Sequence, residues 1–452
     1  MATSFLNDLM QTLGDRGRSL MGRSRDLARS GDLPELGEAL LSRRGEASGV
    51  ALARTLLDSY AGAPLAARLG FLTALADRFG PDRDLVDKAV AEYRRDPSGR
   101  AVSALQEAAE PRRQELIRRL NLAPGGTAAL VRMRAELLSH LGSRPDLVEV
   151  DRDFVHLFSS WFNRGFLVLR PIDWTTPANI LEKIIRYEAV HAIESWDDLR
   201  SRLQPADRRC YAFFHPQLVD EPLIFVEVAL TSGMSGAIAT LLDPTRRPIA
   251  ARDATTAIFY SISNTQGGLA GVSFGHFLIK QVADELRREL PNLRTFATLS
   301  PVPGFAAWLA GELALPHSRF FNDEARATLQ GLDQAGWHID PARRETLRRA
   351  ILPVAATYFL KAKTPTGRPL DPVARFHLGN GARLEALNVL GDVSAKGMRQ
   401  SHGLMVNYCY DLDEIERNHE SYAEKGEVVA SSAIRRLIRA DIAPPPELVS
   451  AS

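Results

Sequence analysis

The sequence predicts an α+β protein, an all-α helical bundle followed by a mixed α/β domain, on three observations. From about Asp32 to Val150, apolar residues recur at three- and fourfold spacing with few β-branched runs. After Pro145 that regularity gives way to an alternation of strand-like and helical stretches. Within it, Thr255 to Phe305 reads as strand, Gly-rich turn, helix and strand, a βαβ unit. A chain of 452 residues exceeds what one core usually organises, so two domains are expected, 1–150 helical and 151–452 mixed.

The helical part is carried by GVALARTLLDSYA, LAARLGFLTALADRF, DLVDKAVAEYRR and GTAALVRMRAELLSHLG. Helix-ending residues separate them: Gly62 with Pro64, Gly80 with Pro81, Pro97 with Gly99, and Pro124 with Gly125 and Gly126. Its many arginines alternate with acidic residues and read as a solvated face. FLVLRPIDW then reads as a strand, and TPANILEKIIRYEAV as a helix with Thr176 as N-cap and Pro177 in its first turn. CYAFFHPQLVDEPLIFVEVAL supplies two strands around the Pro216-to-Pro222 turn, and SGAIATLL a further element. Past Trp308 the chain turns helical again, through PARRETLRRAILPVAATYFLKA. LEALNVL reads as a short helix, GLMVNYCY as a late strand and VVASSAIRRLI as a closing helix.

The central unit opens with TTAIFYSIS, a buried strand, and continues into NTQGGLAG. A helix is expected from about Val272, with Phe274, Leu278, Val282, Leu286 and Leu290 at fourfold spacing. TFATLS follows as a strand ending at Ser300. Glycines at 267, 268 and 271 let backbone approach a ligand, and a helix N-terminus attracts phosphate. The loop is not a P-loop, because no Gly-Lys-Ser/Thr follows, and GGLAG lacks the dinucleotide G-x-G-x-x-G spacing. Acyl-CoA sites of the acetyltransferase type share its order of parts and often read Q/R-x-x-G-x-G/A. Gly268 and Ala270 fit the last two positions, while Thr265 stands where Gln or Arg is expected and Gln266 comes one residue late. A plain turn would use the same glycines.

Composition excludes several classes. Apolar residues at 45% and charged ones at 25% describe an ordinary globular chain. Fifty-six basic against 55 acidic residues leave a net charge of +1, so nothing draws the whole chain to nucleic acid or membrane. Cys210 and Cys409 are too few for a disulfide framework or a metal cluster and read as buried thiols. No apolar run reaches membrane-spanning length, and the N-terminal stretch has no secretory h-region; a cytoplasmic protein is expected.

Ser300, in LSPVPGF, is outside any G-x-S-x-G elbow, and a Ser before Pro often caps a turn. His377 precedes a Gly379–Asn380–Gly381 turn and is one of ten histidines. Tyr408 and Tyr410, two apart on a strand, should share a face, with Cys409 on the other.

The segments YSISNTQGGLAGV, TLSPVPGF, HLGNGA and GLMVNYCY, in this order, resemble malonyl-CoA decarboxylase, as does the earlier WFNRGFLVL with EKIIRYEAVHAI. The resemblance covers roughly Phe154 to Leu437, with gaps. It implies a helical domain beside a catalytic domain of acetyltransferase-like (GNAT-type) fold, a homo-oligomer (dimer or tetramer), and conversion of malonyl-CoA to acetyl-CoA and CO2. The family's catalytic Ser falls on Ser300, its His on His377, a second Ser on Ser261 and a Tyr on Tyr410. CoA contacts are expected from Gln266, Gly267, Gly268, Leu269, Ala270, Gly271 and Ser273. Better-known members carry a Glu where this chain has Ser273, so no carboxylate role is carried over. The thioester delocalises the developing charge, so no cofactor or metal is expected; CoA enters as part of the substrate. A CoA-dependent acyltransferase of the same fold would differ by needing an acceptor, and a non-catalytic acyl-CoA scaffold by binding without turnover.

Overall fold

The structure is a computed structural model that describes residues 32–42, 45–272, 274 and 278–439. The chain divides into two compact units.

The first unit comprises residues up to Val168 with Phe214–Leu223 and Asn264–Phe274. Its described helices are α1 (Leu33–Ser42), α2 (Glu46–Gly62), α3 (Leu65–Asp77), α4 (Arg83–Arg95), α5 (Gly99–Ala109), α6 (Arg112–Asn121), α7 (Gly126–His140) and α8 (Val148–Trp161). Asp82 and Ser98 cap α4 and α5 by accepting first-turn N–H groups, as their residue types favour. Leu36, Leu52, Leu56, Phe71, Leu116, Leu130, Phe154 and Phe158 are fully buried and form the packing that the three- and fourfold spacing anticipates. Many arginines pair on the surface, Arg78 with Glu35 and Arg112 with Glu38 among them. Arg113 and Arg134 do not fit the solvated-face expectation: both are buried, paired with Asp153 and Asp151. A buried guanidinium without a carboxylate would be costly, which is why each has one.

The second unit holds an eight-stranded sheet. Its strands are β1 (Val168–Ile172), β2 (Arg208–Phe214), β3 (Pro222–Thr231), β4 (Thr256–Asn264), β5 (Thr295–Thr298), β6 (Ser300–Pro301), β7 (Arg383–Asn388) and β8 (Met405–Cys409). They lie in the order β1-β2-β3-β4-β5-β8-β6, with β7 also against β8. β4 and β5 run parallel and are linked by α12 (Leu278–Glu289), the expected βαβ unit; β5, β6 and β7 are each antiparallel to β8. This mixed sheet with its connecting helices is the mixed α/β domain expected from the sequence. Direct β4–β5 register ends at Phe259–Thr298, after which the chain pairs Ser300 and Pro301 with β8 instead. One face of the sheet is apolar, with Ile258, Tyr260, Ala297, Leu299 and Met405 clustered under α11 (Ile238–Leu242). Period-two alternation puts Phe259, Ser261, Thr298 and Ser300 on the opposite face.

Three sequence readings are corrected. LEALNVL is strand β7 rather than a helix: a seam of main-chain bonds to β8, with a bulge between Leu384 and Ala386, outweighs its helical spacing. The described helix α12 is Leu278–Glu289, and Val272 and Phe274, expected inside it, lie outside it, while Gly267–Leu269 form a 3-10 turn. The helix α9 (Ala178–Tyr187) has Pro177 at its cap position, while the Thr176 hydroxyl accepts the Asp173 N–H in the preceding turn.

Candidate active site

His377 is delivered by α16 (Pro372–Gly379), a helix whose start and stop are both written locally. Asp371 caps it by accepting the Ala374 N–H at 2.8 Å, and Pro372 supplies a preset φ at the first position. Burial pushes the Asp371 carboxyl up to about 6. At the other end Gly381 turns with φ of 80°, and a Cβ there would strike the Ile415 carbonyl. His377 is thereby fixed at both ends of a two-turn helix.

Its ring meets two of the other predicted site residues, Ser300 and Tyr410, and stacks on a third side chain, Tyr408. Nε2 lies 3.1 Å from Ser300 Oγ, and Nδ1 lies 2.7 Å from the Tyr410 hydroxyl. Tyr408 stacks on the imidazole at 4.6 Å between centroids and 25° between planes. Both tyrosines thus share a face, as their spacing predicts. Ser300 also donates to Thr298 Oγ1 at 2.8 Å, and Thr298 Oγ1 accepts the Tyr408 N–H at 3.2 Å. Ser300, His377 and Tyr410 are all nearly fully buried. Desolvation pushes His377 down to about 3 and holds the Tyr410 phenol far above its ordinary value, so at neutral pH both are uncharged. A neutral imidazole donates through one nitrogen and accepts through the other, and this one has an oxygen partner on each side.

Ser261 occupies the same level of the parallel pair, two residues past Phe259 as Ser300 is two past Thr298. Its hydroxyl is engaged elsewhere: it lies 2.8 and 2.7 Å from the two oxygens of Glu188, a buried carboxylate just after α9. Ser263 reaches the same carboxylate at 3.2 Å, and the N–H groups of Val190 and His191 complete it at 2.9 and 2.8 Å. The loop behind Glu188 is pinned by two cations. Lys396 donates to the carbonyls of Ala189 and Val190, and Arg202 to those of His191 and Ala192.

The Gly-rich loop divides its labour. Gly267, Ala270 and Gly271 are exposed, with Gly271 at φ of 76°, while Gly268 and Leu269 are buried and Gln266 is half-buried. A Cβ on Gly268 would coincide with the Val131 carbonyl of α7, so that glycine is required by packing. The N–H groups of Leu269, Ala270 and Val272 bond within the turn. Ser273 lies outside the described residues.

Glu188, Thr298 and Asp371 were not singled out from sequence. A Glu at a helix end and a Thr in a strand are everyday residues there, and only the fold shows what they touch. Cys210 and Cys409 are buried free thiols, as read. Among the described residues no group of His, Cys, Asp and Glu is arranged to hold a metal, and no helix is long and apolar enough to cross a membrane. A cavity of about 510 Å³ lined in part by Phe320, Thr346, Arg349 and Thr357 shares no residue with the Ser300–His377 cluster.

The family description "Malonyl-CoA decarboxylase C-terminal domain" matches residues 165–447, and "Malonyl-CoA decarboxylase N-terminal domain" matches 79–162. The mitochondrial malonyl-CoA decarboxylase of Rattus norvegicus is 35% identical over 408 residues, covering 83% of this chain and 82% of that one. The crystal structure of malonyl-CoA decarboxylase from Rhodopseudomonas palustris is 64% identical with a TM-score of 0.87, covering 90% of this chain and 99% of that one. The corresponding structure from Agrobacterium vitis is 60% identical with a TM-score of 0.86, again covering 90% and 99%.

Proposed function

This chain belongs to the malonyl-CoA decarboxylase family, and from that premise we propose how its residues perform the reaction. The protein is a carboxy-lyase, converting malonyl-CoA to acetyl-CoA and CO2. One proton is consumed: the C–C bond breaks, its electron pair enters the thioester as an enolate, and carbon is then protonated. The observation that carries the residue assignment is the buried chain Ser300–His377–Tyr410.

A histidine held near 3 by burial does not keep a proton at neutral pH unless a negative charge lies beside it. The malonyl carboxylate changes that, because an anion beside the ring favours the imidazolium. The stacked face of Tyr408 favours it further. In the charged form Nδ1 donates to Tyr410 and Nε2 to Ser300. Breaking the C–C bond removes the carboxylate charge and places it on the enolate. The proton then moves from Nε2 to Ser300 Oγ as the Ser300 hydroxyl proton passes to carbon, leaving a neutral imidazole and a methyl group. The Tyr410 hydroxyl, able to accept or donate, serves both forms of the ring. Ser261, its proton directed at Glu188, completes the polar lining. Exposed Gly267, Ala270 and Gly271 approach the CoA pyrophosphate, with half-buried Gln266 at the margin and Gly268 and Leu269 supporting from behind. The thioester itself delocalises the charge, so the reaction as proposed uses no cofactor.

We also place the protein in the cytoplasm as a homo-oligomer, dimer or tetramer, without nucleic-acid or membrane partners. The balanced charge supports the absence of nucleic-acid and membrane partners, and light scattering gives the mass. The decisive experiment incubates the protein with malonyl-CoA and follows CO2 and acetyl-CoA, beside folded His377→Asn and Ser300→Ala variants. Stoichiometric products with losses of about 10²-fold or more in both variants are expected. Wild-type turnover with undiminished variants would remove the residue assignment.

A further inference from the structure

We propose that Arg134, a residue of helix α7, is a positioning residue for the substrate, holding the Gly-rich loop in the shape that receives the CoA pyrophosphate. The inference rests on the loop reading above. Arg134 is 2% exposed, and its guanidinium is shared between two partners. Nε donates to Asp151 Oδ1 at 2.8 Å, and Nη1 donates to the Gly268 carbonyl oxygen at 2.7 Å. Three residues earlier on the same helix, the Val131 carbonyl occupies the space a side chain at 268 would need. The loop is therefore fitted to α7 at two points, by a missing Cβ and by a charge-assisted hydrogen bond.

The direction of that bond matters for an anionic ligand. With the Gly268 oxygen drawn inward to Arg134, its negative end is kept from the side on which Gly267, Ala270 and Gly271 are exposed. Were that peptide free to turn, an outward carbonyl would repel the phosphates the loop is proposed to meet. Asp151 orients the guanidinium so that Nη1 points at the loop. The helical region thus contributes to substrate affinity without touching substrate.

The test compares malonyl-CoA with malonyl-pantetheine, which has the reacting group but no pyrophosphate. In Arg134→Met, kcat/KM for malonyl-CoA should fall about tenfold through KM, the scale of one lost charge-assisted bond, while malonyl-pantetheine is processed as before. Arg134→Lys and Asp151→Asn, which keep a cation near the loop, should give smaller losses with the same selectivity; they carry the test if the Met variant fails to fold. Gly267→Asp is the control for the loop itself. No atom lies within 4 Å of a Cβ at 267, so a side chain there starts in open space, and its carboxylate should weaken malonyl-CoA alone. Equal effects on both substrates in the Arg134 and Asp151 variants, or none, beside a selective effect in Gly267→Asp, would overturn the role of Arg134. Absence of selectivity in Gly267→Asp would overturn the loop reading and the inference with it.

Discussion

His377 sits where burial and chemistry pull in opposite directions: its surroundings discharge it, and the reaction asks it for a proton. Tyr410 bears on that balance through its hydroxyl at Nδ1, beside an edge-on ring contact at 6.1 Å that a phenylalanine would keep. Tyr410→Phe keeps the ring against Phe259 but leaves the buried nitrogen without a partner. Its kcat should fall about ten- to a hundredfold with KM little changed, read by steady-state kinetics on protein shown to be folded. Ser300, His377, Ser261 and Tyr410 could be named as candidates from sequence because they sit in segments resembling a family; the fold brings three of them together and puts the Ser261 hydroxyl on Glu188, and periodicity alone would have left Ser300 as a turn cap. Glu188 was not legible. Its carboxylate is satisfied by two N–H groups and by two hydroxyls on a strand 73 and 75 residues away, and no local pattern encodes that meeting.

The helix that carries His377 depends on what ends it. Gly381→Ala combines a left-handed φ with a collision against the Ile415 carbonyl and should cost about 2–4 kcal/mol, measured by chemical denaturation. Gly367→Ala makes the comparison: its φ of 79° is similar, but nothing lies within 4 Å of the added Cβ. About 1 kcal/mol is expected there, the intrinsic cost of a left-handed alanine. At this scale the turn after His377 was readable from Gly379–Asn380–Gly381, whereas the strand that follows was not. Leu384, Leu387 and Leu390 recur at helical spacing, and only pairing with β8 decides for a strand. Similarly, Arg134 looks like its many surface neighbours in a sequence, since its burial depends on residues of a distant loop.

Across the molecule, buried imidazoles make the fold sensitive to acid. His377 is pushed down to about 3 and His191 to about 4, both chiefly by burial. The unfolded chain binds protons at these sites below about pH 6.5 while the folded chain does not. Stability they contribute is therefore complete above that pH and is lost as pH falls toward the folded values, by up to about 1.4 kcal/mol per pH unit for each group. Guanidinium denaturation at stepped pH should show this fall, and His377→Asn should make it shallower between pH 6.5 and 4. An unchanged slope would mean that the ring is already charged in the folded protein. The α+β division and the parallel strand–helix–strand unit could be read from patterning because they repeat along the chain; these proton equilibria could not, because burial is a property of the assembled fold.

The segment after α9 has a consequence for solvent exchange. Ala189, Val190 and His191 lie in no regular element, yet their N–H groups bond to Ser263 and Glu188, and the carbonyls from Ala189 to Ala192 are held by Lys396 and Arg202. In deuterated water these amides should exchange as slowly as those of a packed helix, and Glu188→Gln should release them. Their order would be set when the chain folds, before any substrate arrives.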